Sequence, residues 1–292
     1  MSPKSTLKTR LGTNEILVAP GIFDAFGAIM AARAGFETLY LSGASIAYTK
    51  LGQPDIGLVT LDELETVVAN VCERSALPII VDADTGFGNA LNVQRTVKLL
   101  ERAGAAAIQI EDQSLPKRCG HLDGKTLVKP SEMNGKIKAA LDIRVDDNTV
   151  IIARTDAIGV EGYDLAMERA VGFIESGADV LFIEAFQNLE QISGAVEQFG
   201  DKIPLLINMV DGGITPMLSA MELEKLGFSI VIFPGGLVRA LARTTEQYFS
   251  LLMETGSNEK YRDKMFDFVE LNELLGTDSM LEAGKKYEDG GD

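Results

Sequence analysis

Asp82 and Asp84 stand two residues apart in PIIVDADTGFG, a spacing that turns both carboxylates to one side of an extended segment. Glu111 ends a second apolar run, AIQIE, and Asp55 lies in the polar loop LGQPDIG. The four make an oxygen-rich set with no histidine cluster beside it. Hard oxygen donors of this kind select Mg2+, with Mn2+ as the alternative, over zinc. Any one of them alone serves equally well as a helix N-cap; it is the convergence of the set that points to a cation.

Other strand-end residues add recognition and proton chemistry. Arg154 closes the β-branched run TVIIA, where its planar fork suits a substrate carboxylate. A structural ion pair with Glu184 or Asp156 is the other reading, and the two roles are compatible. Ser42-Gly43-Ala44 offers backbone N–H groups to a further anionic group, although glycine in a strand-to-helix turn is ordinary. Lys117-Arg118-Cys119-Gly120-His121 places the one histidine of the chain, a cysteine and two cations within five residues. Neighbouring cations push a thiol towards thiolate, and such a group can donate or accept a proton beside a carbanion. A surface loop of chance composition is the alternative. Cys72, in LETVVANVCERS, falls at helical spacing among apolar residues and is expected in the core.

The elements that must position these residues recur along the chain. Eight short apolar runs lie at 15–19, 38–42, 78–82, 107–111, 149–153, 180–184, 204–208 and 229–233. Runs that are apolar on both faces suit parallel strands covered by helices. Four are introduced by similar phrases, RAGFETLYLS, RAGAAAIQIE, ESGADVLFIE and KLGFSIVIF. Each reads as a helix end, a glycine suited to the left-handed cap, and then a strand. That repetition predicts an α/β (βα)8 TIM-type barrel with its site at the C-terminal strand ends; a doubly wound open sheet is the runner-up. One domain is expected over residues 1–292, with a helical extension from about 237. The segments 237–253 and 258–289 exceed what one barrel helix needs, so they are expected to cap the barrel or embrace a neighbouring subunit.

The formal charge of −16 disfavours nucleic acid and anionic lipid as partners. It also means that an anionic substrate would need a metal and a few placed cations to reverse the local field. No window approaches an uninterrupted apolar span of membrane length, and MSPKSTLKTRLGTNE has no apolar secretory core. Two cysteines are no disulfide framework, which suits a reducing cytoplasm.

The phrases LYLSG, GQPDIGLVT, DADTGFGNALNVQRTV, IEDQSLPKRCGH, IARTDA, IEA and INMVDGGITP resemble the isocitrate lyase/phosphoenolpyruvate mutase superfamily across nearly the whole chain. KRCGH after an EDQ strand is similar to its carbon–carbon lyase branch, in the compact form of the 2-methylisocitrate lyases. The stretch after the seventh strand departs from those: Val210 replaces a hydroxyl residue and Gly212-Gly213 a bulkier pair. That variant, with the later FVELNELLG, resembles the petal death protein and 2,3-dimethylmalate lyase group and implies a 2-alkylmalate over a tricarboxylate.

Residue by residue, the resemblance implies Mg2+ near Asp82, Asp84 and Glu111, with Asp55 close by. It implies that Arg154 and the Ser42-Gly43-Ala44 backbone bind the oxo-acid half of a small carboxylate, with Tyr40 and Thr215 also contacting substrate. Cys119 would be the proton donor, and Glu184, Asn208, Lys117 and His121 would line the pocket. A homotetramer, a dimer of dimers that exchange the C-terminal helix, is implied as well. The expected reaction is retro-aldol cleavage to an α-oxo acid and a carboxylic acid. Hydrolysis or decarboxylation of oxaloacetate is the enzymatic alternative, and a non-catalytic metabolite-binding barrel is the alternative from another class.

Overall fold

The computed structural model describes residues 2–288. Eight strands, β1 (Leu17–Ile22), β2 (Leu39–Leu41), β3 (Ile79–Asp82), β4 (Ala107–Glu111), β5 (Val150–Thr155), β6 (Val180–Ile183), β7 (Leu205–Asn208) and β8 (Ile230–Phe233), pair in parallel and close into a barrel in chain order. All eight apolar runs are strands, and the open sheet is excluded by the pairing of β1 with β8.

Alternation along each strand explains how an apolar barrel acquires a polar mouth. Ile79 and Val81 of β3 face the helices, whereas Ile80 joins an inner cluster with Tyr40, Ala107, Ile152, Phe182 and Leu206. Two residues further along the same inward faces come Ser42, Asp82, Gln109, Arg154, Glu184 and Asn208. The lower layers of the barrel are therefore packed with apolar side chains and the layer above them is polar, as expected of this architecture.

Local sequence starts and stops the surrounding helices. Thr60 with Glu63, Asn89 with Asn92 and Ser219 with Glu222 form reciprocal capping boxes before Leu61–Arg74, Ala90–Ala103 and Ala220–Leu226. The glycine of each repeated helix-to-strand phrase adopts positive φ, between 89° and 112°, as its position predicts.

β1 runs three residues past the apolar run because Pro20-Gly21, which reads as punctuation, is part of the strand. Gly21 lies so close to Pro234 that a Cβ would overlap its carbonyl. Cys72 is half-buried at the edge of the core, where burial pushes its thiol up to about 11.

The chain divides into two compact units, Met1–Val238 and Arg239–Asp292. In the second, helices Phe268–Leu275 and Thr277–Glu288 follow the remainder of helix Gly236–Thr255 and a short 3-10 turn. Tyr261 is its buried anchor, edge-on to Tyr248 with ring centroids 5.5 Å apart. Helix Phe268–Leu275 has no buried residue.

Candidate active site

β3 ends at Asp82, and the chain then turns sharply: Asp84 has φ 47° and Phe87 φ 60°. The two carboxylates do converge, but not through strand alternation as the spacing suggested. Asp84 sits in the left-handed region, a strained conformation for a non-glycine residue and one concentrated at functional sites. Both acids face the bare Cα of Gly43, where a Cβ would stand 3.5 Å from Asp82 Oδ2 and 3.6 Å from Asp84 Oδ1. Gly43 opens the four-residue helix Gly43–Ile46, capped by the Ser42 side chain through Ser45 N–H.

Gln109 fixes the rotation of Asp82. The Tyr40 hydroxyl donates to Gln109 Oε1 at 3.0 Å, so Gln109 Nε2 must face Asp82 Oδ1, at 3.1 Å. Tyr40 thus sits beneath the acids with its hydroxyl engaged. Gln109 was not among the expected site residues, yet a lone amide inside AIQIE is a signal the sequence carries.

Lys117 is buried with its ammonium 2.5 Å from Asp55 Oδ1 and 2.6 Å from Asp84 Oδ1. Burial alone would lower its pKa, but the facing carboxylates raise it well above the ordinary value. Asp84 is lifted to about 6 by burial, opposed by Lys117 and reinforced by Asp82. Glu111 is pushed well above its usual range by burial, and its Oε1 has no hydrogen-bond partner.

Among the described residues, no three His, Cys, Asp or Glu side chains are drawn together as a ready ligand set. The donor chemistry still fits a hard divalent cation. An unpartnered buried carboxylate oxygen and two acids turned towards a side-chain-free glycine are costly to leave in a dry pocket. A cation near them would favour the ionised carboxylates that burial disfavours.

Arg154 is the hub of the other half. Its Nε and Nη2 fork Asp156 at 2.9 and 3.0 Å, Nε lies 3.3 Å from Glu111 Oε2, and Nη2 lies 3.4 Å from Glu184 Oε2. Its guanidinium carbon stands 5.1 Å from the Phe182 ring centroid. The structural ion pair is therefore present, and Nη1 takes no part in these contacts. Asp156 would be raised by burial, but Arg154 overrides that and holds it below the carboxylate range. Glu184 Oε1 accepts from Ala185 N–H, and Oε2 accepts from Asn208 Nδ2 at 3.0 Å. Asn208 Oδ1 is buried without a partner.

The cysteine loop is folded down onto this cluster. Cys119 N–H donates to Asp55 O at 3.2 Å, and Lys125 Nζ donates to Gly120 O. A Cβ on Gly120 would strike Arg154 Nη2 and Glu184 Cγ, so only glycine permits this approach. His121 Nδ1 accepts from Ile214 N–H at 3.2 Å, which places the proton of the neutral ring on Nε2, 3.6 Å from Glu184 Oε1. Gly213 closes against the ring of His121: a Cβ there would stand 3.0 Å from Cε1 and Nδ1. Thr215 is buried further along the same loop.

The expectation of a thiolate at Cys119 is not met. Burial raises its pKa, a backbone hydrogen bond involving His121 lowers it, and Asp55 raises it again. The flanking cations act elsewhere: Lys117 pairs with Asp55 and Asp84, and Arg118 is exposed and donates to Asp123 O. Burial thus favours the thiol form of Cys119 over the thiolate. Sequence reasoning also gave no role to Lys125, Asp112 and Arg169; Lys125 meets Asp156 and Arg169 meets Asp112 across long stretches of chain that leave no local signal.

The family model described as phosphoenolpyruvate phosphomutase matches residues 7–253. The chain belongs to this family. It is 46% identical over 274 residues to 2-methylisocitrate lyase of Aeropyrum pernix, covering 94% of this chain and 87% of the relative. It is 40% identical over 292 residues to 2,3-dimethylmalate lyase of Eubacterium barkeri, covering 99% and 100%. A crystal structure of 2,3-dimethylmalate lyase, described as a PEP mutase/isocitrate lyase superfamily member, superposes with TM-score 0.93 at 34% identity over 100% of this chain and 99% of that one. Oxaloacetate acetylhydrolase bound to 3,3-difluorooxalacetate gives TM-score 0.91 at 32% identity, covering 98% and 97%. Phosphonopyruvate hydrolase in complex with oxalate and Mg++ gives 0.90 at 28%, covering 99% and 100%.

Proposed function

We propose that this chain is a carbon–carbon lyase that cleaves a small 2-hydroxy dicarboxylate, of the 2-alkylmalate or 2-methylisocitrate type, to an α-oxo acid such as pyruvate and a carboxylic acid. One observation carries the reading: Gly120 lets the loop that bears Cys119 close onto the Arg154–Glu184 cluster at the barrel mouth, and burial there favours the thiol form of the cysteine. The named activities of relatives at 40–46% identity support it.

Asp82, Asp84 and Glu111 would hold Mg2+, or Mn2+, with Asp55 close by. When bound, the ion supplies Lewis-acid stabilisation of oxyanion charge on the substrate. Arg154 Nη1 and the N–H groups of Gly43 and Ala44 orient the oxo-acid half, with Asn208 and Thr215 along the wall. The hydroxyl proton passes to the buried carboxylates around Arg154, the bond to the neighbouring carbon breaks, and the Sγ–H of Cys119 protonates the departing fragment. Lys117 and His121 pin the loop that presents the thiol.

The resemblance to oxaloacetate acetylhydrolase supports a second reading, hydrolysis or decarboxylation of oxaloacetate on the same residues. A panel of 2- and 3-alkylmalates, methylisocitrate and oxaloacetate, ranked by kcat/KM with product identification, separates them. Pyruvate from an alkylmalate supports the lyase; oxalate plus acetate as the dominant products from oxaloacetate would displace it. Activity that survives complete metal removal by EDTA would sink the role of Mg2+.

The same reading includes a homotetramer, a dimer of helix-exchanged dimers, working in a reducing cytoplasm. Two free cysteines support the compartment. The exposed Phe268, Val269, Met280 and Leu281 of the second unit support the assembly, since apolar patches of this kind mark contact surfaces. No helix among the described residues is long and apolar enough to cross a membrane.

A further inference from the structure

Asp112, the first residue beyond β4, touches the Arg154 half of the candidate site and the loop that carries Cys119 without entering the site. Its N–H donates to Arg154 O at 3.2 Å, and its carbonyl accepts from Val128 N–H at 2.9 Å. Its Oδ1 accepts from Asp156 N–H at 2.9 Å, and its Oδ2 accepts from Thr155 Oγ1 at 2.7 Å and from Arg169 Nη1 at 3.3 Å. Arg169, on helix Tyr163–Glu175, donates again from Nη1 to Val128 O at 3.0 Å, and it forks Glu161 through Nε and Nη2, both at 2.7 Å.

These contacts sit at the neck of the segment that carries Cys119. The chain leaves the barrel at Gln113 and returns at Leu127, and the two strands of the neck are joined by a Gln113–Leu127 bridge and by Ser114 N–H donating to Thr126 O at 2.8 Å. A main-chain ladder would suffice to close such a loop. Here a buried carboxylate and a buried guanidinium have been added, and between them they reach β5, the returning strand at Val128 and the helix at Glu161. Buried charges are expensive to desolvate, and this pair connects the loop neck with the residue pair that orients Arg154.

We propose that Asp112 and Arg169 are positioning residues that set the place of the Cys119 thiol relative to the Arg154–Asp156 fork. The proposal rests on the reading of Cys119 and Arg154 as proton donor and substrate ligand. Asp112 has a short side chain and is bonded through its main chain to Val128 as well as through Oδ1 to Asp156 N–H, so a shift of the neck moves the acceptor that holds Asp156. Displacement of about 1 Å at reacting groups is enough to cost orders of magnitude in turnover.

The test compares full-length Arg169→Met, Arg169→Lys and Arg144→Met with the wild-type chain. Arg144 pairs with Asp179 at 2.7 Å and binds Thr149 O at the opposite end of the barrel, so its loss controls for general destabilisation. Cys119 alkylation by iodoacetamide is followed by peptide mass spectrometry, beside Tm, kcat and KM on a 2-alkylmalate. Arg169→Met is expected to label Cys119 about fivefold or more faster through local loosening of the neck. Its kcat should fall about 10–100-fold with KM within about threefold. Arg169→Lys should recover part of both, and Arg144→Met should change neither whatever its Tm.

Equal Cys119 labelling in Arg169→Met and Arg144→Met would reduce the clamp to a structural one and overturn the proposal. If Arg169→Met does not fold, Asp112→Asn takes its place, since it keeps an acceptor for Asp156 N–H while removing the charge that faces Arg169. If no variant, the wild type included, turns over any alkylmalate, the lyase reading fails while the labelling still decides the coupling.

Discussion

Burial and two nearby acids favour the neutral thiol at Cys119, against the backbone hydrogen bond of His121 and the charge of Arg154, which oppose them. A neutral thiol suits donation of a proton to a carbanion better than nucleophilic attack. Cys119→Ser is therefore expected to lower kcat about 100-fold or more with KM close to wild type, because the serine hydroxyl is a far weaker acid. Unimpaired turnover would remove Cys119 as the donor. Alkylation of this thiol should accelerate only at a pH above the one at which an exposed cysteine becomes reactive; an inflection below that of a free cysteine would restore the thiolate. Gly120→Ala tests the approach of the loop itself. Its Cβ would meet Arg154 and Glu184, so kcat/KM should drop about 100-fold while circular dichroism and Tm stay near wild type. An alanine variant with normal activity would show that the loop need not close this far.

Asp112 joins the end of β4 to the end of β5, and its ionisation is a property of that junction. Burial, with Asp156 adding to it, lifts its pKa to about 6 from 3.8. The folded chain therefore binds this proton at a pH where the unfolded chain still releases it. By linkage, the Asp112 contribution to stability rises as pH falls through about 6 and levels off below about 4. Relative to Asp112→Asn, the wild type should gain up to about 3 kcal/mol across that window, read from urea unfolding at a series of pH values. A constant difference would place Asp112 at an ordinary pKa. At the seam between β1 and β8, Gly21 is required by the close approach of Pro234, whereas in a free segment glycine would weaken the strand.

The whole molecule carries a formal charge of −16 and still presents a mouth where Arg154, Lys117 and Lys125 stand among the acids. A bound divalent cation would shift that balance further towards an anionic substrate. Mg2+ should accordingly raise the Tm of the wild-type chain, and raise that of Asp82→Asn much less, by mass action on the folded state. Equal shifts in both would move the cation elsewhere. In sedimentation the full chain should run near four times its 31.4 kDa mass, and removal of residues 259–292 should yield smaller species. A monomeric full-length chain would end the proposed exchange of helices.

The sequence by itself determined parallel strands under helices, because eight runs apolar on both faces are best buried that way and the glycine after each repeated helix end marks where the strand begins; the pairing of β1 with β8 then closed the sheet into a barrel. The sequence determined the inventory at the mouth as well, since two-residue alternation makes Ser42, Asp82, Glu184 and Asn208 point inward once Tyr40, Ile80, Phe182 and Leu206 do. Gln109 was legible too, as the one amide in an otherwise apolar strand with an acid at its end. What the tertiary structure alone decided is which charge meets which. Lys117 bridges Asp55 and Asp84, Arg154 lies 3.3 Å from Glu111, and Arg169 reaches Asp112 across 57 positions of chain. Pairings between groups so far apart depend on loop paths and on φ values such as 47° at Asp84. Local propensity does not encode either, so the direction in which burial and the nearby charges shift the Cys119 thiol is set only in the folded molecule.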